Sequence, residues 1–366
     1  MKWVDEFRDP ALIRALAARI VRRASRRWTV MEVCGGQTHS IVENGLDELI
    51  AAKITLLHGP GCPVCVTPLE TLDRARRIAV ETDAIVCSFG DMLRVPGSRG
   101  DLLGARAYGG DVRVVYAPLD AARLAACTPE RPVVFLAVGF ETTAPAVAAA
   151  ARFAHRQRLA NFHLLVSHVR VPPALEAIAS APDAHVDAFL AAGHVCTIMG
   201  TAEYEPIAAR FGIPIVATGF EPVDILHGLA MAVEQLEAGA AKVEIQYTRA
   251  VRPAGNPIAR ALLEEVFEIA DRPWRGIGVL PRGGLVLRPP YDAMDAMRAF
   301  RWLADETAVE PKECRAGEVL RGALRPPSCP EYGQRCTPDH PLGAPMVSSE
   351  GACAAYFHYR ATSLAP

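Results

Sequence analysis

The sequence predicts an α/β protein with two similar βαβ-type domains built on parallel sheets, followed by a mostly helical and irregular C-terminal region. Short apolar runs alternate with amphipathic or alanine-rich stretches, a pattern that is typical of βαβ units. The pattern occurs twice, since residues 57–93 are echoed by residues 198–226. The length of 366 residues also exceeds the size of about 250 residues at which single cores stop growing.

The order of elements begins with a helical segment at residues 1–28, where Leu12, Leu16 and Ile20 recur at four-residue spacing. The apolar runs that follow are predicted to be strands, at residues 30–33, 54–57, 84–87, 112–116, 133–138, 164–167, 195–198 and 214–217. We divide them into a first α/β domain at residues 29–127 and a second at residues 128–245.

The last segment, residues 246–366, has a different composition. A helix is predicted near 257–270, a strand near 275–280 and a helix near 291–305. Beyond residue 310 the chain is rich in proline and glycine, which disfavours regular structure. Four cysteines lie in this irregular part, and loops without a core of their own often need a metal to order them.

Composition and charge narrow the class of protein. The formal net charge is −2 and no basic stripe is present, so nucleic acid is not an expected partner. No apolar run approaches the roughly 20 residues that span a bilayer. The charged N-terminus carries no signal-peptide pattern, and we expect a cytoplasmic protein. The ten cysteines would then be reduced, which favours metal ligation or redox chemistry over disulfides.

The tail cysteines are spaced C-x14-C-x6-C-x16-C, at Cys314, Cys329, Cys336 and Cys353. Irregular loops allow four thiolates to converge on one [4Fe–4S] cluster. The spacing alone is not specific, because it lacks the short C-x2-C pairs of ferredoxins and zinc ribbons. A zinc site and unligated buried thiols therefore remain alternatives.

A C-P-V-C motif carries Cys62 and Cys65. Thr67 and Glu70 have the spacing of a capping box and Pro68 suits the first helical position, so a helix is predicted to start at about residue 67. The positive end of that helix would lower the pKa of a nearby thiol. We interpret the pair as a redox dithiol, with a structural pair as the alternative.

The motif C-G-G-Q-T-H carries Cys34 and His39. The strand before it ends at Cys34, and the carboxyl ends of strands are where open α/β folds place their sites. His39 could lower the pKa of the thiol, donate a proton or ligate a metal. A buried cysteine beside a hydrogen-bonded histidine is the alternative.

A fourth motif, G-F-E-T-T, also lies at a predicted strand end. Glu141, Thr142 and Thr143 could line the same cleft as Cys34, although Thr142 or Thr143 could equally be a helix N-cap. Three further cysteines lie in or near apolar stretches and are predicted to be core residues: Cys87, Cys127 and Cys196.

These four motifs, in this order and over essentially the full chain, resemble those of the HypD-type hydrogenase maturation factors. Gln37 stands where some members of that family carry histidine. The resemblance implies two related α/β domains and an iron–sulfur region formed by the C-terminal part with the N-terminal helix. It also implies an assembly scaffold rather than a stand-alone enzyme.

The resemblance further implies that the chain carries the Fe(CN)2CO unit of [NiFe]-hydrogenase. A HypC-type chaperone and a HypE-type cyanide donor would be its partners, and the hydrogenase large subunit would be an indirect one. Carried over by motif, Cys34 would ligate the iron fragment with His39 in support, while Cys62 and Cys65 would exchange electrons with a [4Fe–4S] cluster. The implied cluster ligands are Cys314, Cys329, Cys336 and Cys353.

Two other functions remain open from the residues alone. An iron–sulfur-dependent thiol–disulfide reductase would use the same dithiol and cluster but would not need Cys34. A zinc-stapled α/β binding protein would use only the tail cysteines. No G-x4-G-K-[ST] motif occurs, so the sequence does not support a nucleotide-hydrolysis site.

Overall fold

The computed structural model describes residues 5–182, 185–304, 308 and 310–360, and it confirms the predicted α/β class with parallel sheets. Residues 1–4 of the predicted N-terminal helix and residue 305 of the helix predicted near 291–305 lie outside the described residues. The strands are β1 Trp28–Glu32, β2 Ile54–His58, β3 Ile85–Ser88, β4 Asp111–Val114, β5 Val133–Gly139, β6 Phe162–His168, β7 Ala188–Ala192, β8 Ile215–Thr218, β9 Val243–Ile245, β10 Phe267–Trp274 and β11 Gly278–Leu287.

Helices connect and follow these strands. They are α1 Pro10–Arg23, α2 Gly35–Glu43, α3 Leu46–Ile50, α4 Leu69–Glu81, α5 Gly90–Leu93, α6 Leu102–Ala105, α7 Pro118–Cys127, α8 Ala144–Arg156, α9 Val171–Ser180, α10 Gly193–Met199, α11 Glu205–Phe211, α12 Pro222–Glu237, α13 Pro257–Val266, α14 Ala296–Ala299, α15 Ala316–Leu320 and α16 Ala352–Arg360. Short 3-10 turns lie at Asp5–Phe7, Arg106–Tyr108, Tyr291–Met294, Arg301–Leu303, Pro326–Ser328 and Ala344–Met346.

The first sheet is parallel throughout and has the strand order β2-β1-β7-β8-β9. The chain leaves β1 toward β2 on one side, whereas β7 leads to β8 and β9 on the other side. The strand order therefore reverses between β1 and β7. In open α/β sheets, sites form at the carboxyl ends of strands at such a switch point.

The second sheet is also parallel and has the strand order β4-β3-β5-β6. Its order reverses between β3 and β5. All seven residues of β5 are buried, which fits a central strand covered by helices on both faces. The carboxyl end of β5 carries the G-F-E-T-T motif.

The two sheets do not coincide with the segments 29–127 and 128–245. The chain passes through α4 from the first sheet into the second, and it returns through α9 to the first sheet at β7. The first sheet thus combines residues 28–58 with residues 188–245, and residues 85–168 form the second. Sequence periodicity identifies strands but not the strands they pair with. Here all strands of the second sheet lie, in sequence, between the strands β2 and β7 of the first sheet.

One predicted strand is wrong. Residues 195–198 belong to helix α10, and the strand of this region is β7, which ends just before that helix. The sequence of β7 is A-F-L-A-A, and all five residues are buried. Alanine is depleted in strands, so the sequence of β7 does not predict a strand. It forms here because it is covered on both faces by packing helices.

The N-terminal helix α1 is capped by Asp9, whose side chain accepts from the backbone N–H groups of Ala11 and Leu12. Its buried residues Ala17 and Ile20 share one apolar cluster with α12, α3 and the first sheet. The helix therefore belongs to the layer under the first sheet. It is not part of the C-terminal region with which the resemblance grouped it.

The C-terminal segment starts with α13 and an antiparallel hairpin of β10 and β11, not with a helix to residue 270. The helix predicted near 291–305 is broken into α14 and two 3-10 turns. The tail beyond residue 310 is irregular apart from α15, α16 and short turns, as predicted. No helix within the described ranges is long and apolar enough to cross a membrane.

Candidate functional site

Cys34 lies at the carboxyl end of β1, at the switch point of the first sheet. Its backbone is extended (φ −150°, ψ 119°) and helix α2 begins at the next residue. The thiol is buried, and its Sγ lies 3.5 Å from Nδ1 of His194, which stands at the start of α10 after β7. The segments that follow β1 and β7, the two strands at the switch point, therefore each supply one side chain of the pair.

Burial dominates the electrostatics of this pair. It raises the pKa of the Cys34 thiol above its ordinary value, and the nearby Glu32 and Glu350 carboxylates raise it further. Burial lowers the pKa of His194 to about 4. Both side chains are therefore neutral at pH 7, with the imidazole beside the thiol proton.

His39, in contrast, is not the partner of Cys34. Its Nδ1 lies 3.3 Å from the carbonyl oxygen of Ser349 and its Nε2 lies 3.1 Å from the hydroxyl of Tyr359. It connects α2 to the C-terminal helix α16. The histidine that contacts the thiol is 160 residues away from it in sequence, and nothing local in the sequence marks it.

Gln37 takes a structural position in the same motif. Its side chain is buried, and its Nε2 donates to the hydroxyl of Thr218 at 2.5 Å and to the carbonyl oxygen of Ala191 at 3.3 Å. The side chain thus fastens α2 to the ends of β7 and β8.

The dithiol lies in the loop between β2 and α4. Cys62 and Cys65 are buried free thiols, and the backbone N–H of Cys65 lies 3.3 Å from the Sγ of Cys62. The predicted capping box does not form, because the hydroxyl of Thr67 donates to the carbonyl oxygen of Pro63 and no side chain caps α4.

The predicted low pKa of the dithiol is wrong for Cys65. Burial raises the pKa of the Cys65 thiol well above its ordinary value, and the thiols of Cys62 and Cys353 raise it further.

A backbone contact joins the Cys34 loop to the dithiol loop. The N–H of Gly35 donates to the carbonyl oxygen of Gly61 at 2.9 Å. A Cβ at Gly61 would lie 2.2 Å from the backbone nitrogen of Cys34 and 2.4 Å from its Cα. Only glycine permits this approach, so the glycine before Cys62 has a packing role.

A buried carboxylate, Glu32, organises the other side of the Cys34 loop. Its Oε2 accepts from the backbone N–H of Cys34 at 2.8 Å, and its Oε1 accepts from the hydroxyl of Thr38. The same Oε1 lies 2.7 Å from Nδ1 of His58, whose Nε2 lies 3.1 Å from the hydroxyl of Tyr356. This Glu32 network links Cys34, the end of β2 and α16, the helix that carries Cys353.

The two switch points face each other across one cleft of about 180 Å³. Its walls come from both sheets, from the dithiol loop and from the tail. The lining residues are Gly61, Pro63, Val64, Phe89, Asp91, Met92, Val138, Phe140, Thr142, Thr143, His194 and Glu350.

The G-F-E-T-T motif contributes to this cleft in part. Thr142 and Thr143 line it, and Thr143 also precedes α8 without making a side-chain cap. Glu141 instead turns into the interior, where its Oε1 accepts from the backbone N–H of Val171 at 3.0 Å. Burial raises the pKa of this carboxyl to about 7.

The four tail cysteines line a single small cavity of about 20 Å³. Its wall is mostly apolar and includes Tyr332, Leu342 and Met346. Burial raises the pKa of Cys314, Cys336 and Cys353, and in each case a neighbouring tail thiol raises it further.

This donor set fits an iron–sulfur cluster. Four thiols line one small, mostly apolar cavity, and soft thiolates in such a setting suit a cluster whose irons take one thiolate each. Within the described ranges, no group of three His, Cys, Asp or Glu side chains is arranged around a single metal ion.

The remaining cysteines divide into two kinds. Cys87 and Cys196 are buried, as predicted. Cys127 is exposed at the end of α7, so its assignment to the core is wrong. The apolar residues of α7 face the sheet, and the last residue of the helix lies beyond that contact.

Comparison with known proteins gives one consistent result. A family model described as "HypD: Hydrogenase formation hypA family" matches residues 11–360. The chain is 47% identical to the hydrogenase expression/formation protein HupD of Azotobacter chroococcum mcd 1, covering 98% of this chain and 97% of that protein. It is 46% identical to the hydrogenase maturation factor HypD of Azotobacter vinelandii, with the same coverage. It is 44% identical to that of Escherichia coli K12, over 98% of both chains.

Proposed function

The chain belongs to the HypD family of hydrogenase maturation factors, and on this basis we propose that it is the scaffold on which the Fe(CN)2CO unit is assembled. In this proposal Cys34 holds the iron fragment together with a HypC-type chaperone, and a HypE-type protein donates cyanide. The hydrogenase large subunit receives the product indirectly. The proposed compartment is the cytoplasm, whose reducing conditions suit ten free cysteines.

The observation that carries the proposal is the placement of Cys34. It lies beside His194 where two sheets meet, and the bond from Gly35 to Gly61 joins its loop to the dithiol. A soft thiolate is a suitable anchor for low-valent iron that carries cyanide and carbon monoxide. The apolar parts of the cleft wall, such as Phe89 and Phe140, would limit access of water.

Iron binding requires that the Cys34 thiol lose its proton. In the proposed step the sulfur–iron bond forms as the S–H bond breaks, and Nδ1 of His194 accepts the proton at 3.5 Å. Because burial lowers the pKa of His194 to about 4, the imidazole does not retain the proton and passes it to a carboxylate of the same cleft, Asp91 or Glu350. His194 would therefore act as a relay.

The dithiol and the tail form the proposed redox part. Reduction of a Cys62–Cys65 disulfide takes two electrons and two protons and yields two thiols. Cys314, Cys329, Cys336 and Cys353 would hold a [4Fe–4S] cluster, which when bound supplies electrons singly. A backbone contact supports a short route between the cluster and the dithiol, since Arg275, which lines one groove with Cys314, donates from its N–H to the carbonyl oxygen of Val66 next to Cys65.

Metal analysis tests the redox part. Protein purified without oxygen is expected to contain about four iron and four acid-labile sulfide per chain. Cys336→Ser should lower both values, whereas Cys127→Ser, which changes an exposed thiol away from the cavity, should not. One zinc per chain with no visible absorption would contradict the proposal.

The second candidate is a cluster-dependent thiol–disulfide reductase, which the paired Cys62 and Cys65 favour. Replacing Cys34 separates the two functions. As a scaffold, the Cys34→Ser protein should fail to restore hydrogenase activity in cells that lack their own maturation factor of this family. A reductase would keep its activity, because its dithiol and cluster are intact.

A further inference from the structure

Arg275 occupies a buried position between the dithiol loop and the tail cavity. It follows β10 directly, and only 6% of its surface is exposed. Its backbone N–H donates to the carbonyl oxygen of Val66 at 2.8 Å, next to Cys65. The backbone of Arg275 is thus fixed to the segment that carries the dithiol.

The side chain of Arg275 is incompletely paired. Its Nε and Nη2 donate to Oε2 of Glu310 at 3.0 Å and 2.7 Å. Its Nη1 is buried and has no hydrogen-bond partner among the described residues. A buried guanidinium stays charged, and a buried donor on it without a partner is destabilising. Such a group indicates a missing negatively charged partner.

The geometry near Arg275 shows where that partner would be. Arg275 and Cys314 line the same open groove of about 260 Å³, and Cys314 also lines the tail cavity. Cys314 is therefore the tail thiol that the groove of Arg275 and the tail cavity share.

We propose that Arg275 is a positioning residue that donates from Nη1 toward the Cys314 side of the bound cluster and raises its reduction potential. The inference rests on the proposed function, because it requires the cluster. Reduction adds one negative charge to a group that is already anionic with four thiolates. A fixed buried cation stabilises that reduced state, since charges interact more strongly away from water.

The test measures the reduction potential of the cluster in the anaerobic full-length protein, by redox titration followed by electron paramagnetic resonance. Arg275→Gln removes the charge and is expected to shift the reduction equilibrium about tenfold toward the oxidised form, or about 59 mV to lower potential. Arg275→Lys keeps the charge, and its reduction potential should therefore lie close to that of the wild type.

Two further variants separate charge at this position from charge in the groove. Arg321→Gln removes an exposed arginine of the same groove and should leave the potential unchanged, because solvent screens its charge. Glu310→Gln removes the carboxylate that neutralises Arg275 and should shift the potential upward. If Arg275→Gln cannot retain the cluster, the inference is tested by Glu310→Gln alone. An unchanged potential in Glu310→Gln then overturns it.

The failure of this inference differs from failure of the proposed function. A wild-type protein without iron and sulfide would remove the proposed cluster itself. Full iron and sulfide in Arg275→Gln with an unchanged potential would leave the cluster in place and overturn only the role of Arg275. An equal downward shift of the potential in Arg275→Lys would also overturn the inference. Lysine keeps the positive charge, so such a shift would have a structural cause and not an electrostatic one.

Discussion

The backbone N–H of Gly35 donates to the carbonyl oxygen of Gly61 at 2.9 Å, and this bond joins the loop of Cys34 to the loop of Cys62 and Cys65. The two motifs are separated by the strand β2 in sequence, yet their glycines touch. Their relative position is therefore set by backbone contact and does not depend on side chains that could change rotamer.

Gly61→Ala is expected to lower the free energy of unfolding by at least about 2 kcal/mol, because its Cβ would lie 2.2 Å from the backbone nitrogen of Cys34. Denaturant unfolding without oxygen measures the change. Gly90→Ala is the matched control, since no atom lies within 4 Å of its Cβ. Equal stability of the two variants would show that the loops can separate at little cost.

Glu32→Gln is expected to lower the free energy of unfolding by roughly 2–4 kcal/mol, because it removes a buried charged acceptor shared by Cys34, Thr38 and His58. Thermal and denaturant unfolding check this. Glu268→Gln, an exposed change on β10, should stay within about 0.5 kcal/mol of the wild type. If both variants match the wild type, the Glu32 network contributes nothing to stability.

Mild oxidation is expected to form one reversible disulfide between Cys62 and Cys65, since the two thiols are neighbours in a buried loop. Peptide mass spectrometry after alkylation detects it, and Cys62→Ser should abolish it. Cys196→Ser, which changes a buried thiol elsewhere, should not. Persistence of two free thiols after oxidation in the wild type would exclude a redox dithiol.

The buried carboxyl of Glu141 predicts a specific dependence of stability on pH. Burial raises its pKa to about 7 from an ordinary value of 4.5, so the folded chain binds this proton more tightly than the unfolded chain. Stability must therefore fall as pH rises from about 4.5 to about 7 and then level off, by up to about 3 kcal/mol.

Glu141→Gln removes this titration, and its amide oxygen can still accept from the N–H of Val171. The variant should gain stability over the wild type as pH rises through that window. Denaturant unfolding at several pH values measures the difference. A difference between the two proteins that is constant with pH would show that Glu141 has an ordinary pKa.

Most of the fold follows from patterns that are local in sequence. Strands such as β5 are predicted because continuous apolar runs end in glycine, and α1 because its apolar residues recur at helical spacing. The assignment of strands to sheets does not follow from local patterns. Strand β1 pairs with β7, although all strands of the second sheet lie between the two in the sequence. The alanine-rich strand β7 is also not predicted from its sequence, because its residues form a strand only when both faces are buried.

The candidate site divides in the same way. Cys34 and the C-P-V-C thiols are visible because glycines place them at the ends of strands. His194 and Glu32 are not, since each acts through a contact that only the folded chain creates. The low pKa predicted for the dithiol is wrong at Cys65 for a similar reason. The sequence shows a helix start near Cys65, but burial of the thiol outweighs any helix dipole.

The central claim is that Cys34 holds an iron fragment with cyanide and carbon monoxide ligands. Infrared spectroscopy of the protein purified without oxygen, together with its HypC-type partner, tests it most directly. The wild-type complex should show cyanide and carbonyl stretching bands, and the Cys34→Ser complex should lack them while Cys127→Ser retains them. Equally strong bands in Cys34→Ser, or none in the wild-type complex from cells that make active hydrogenase, would contradict the account.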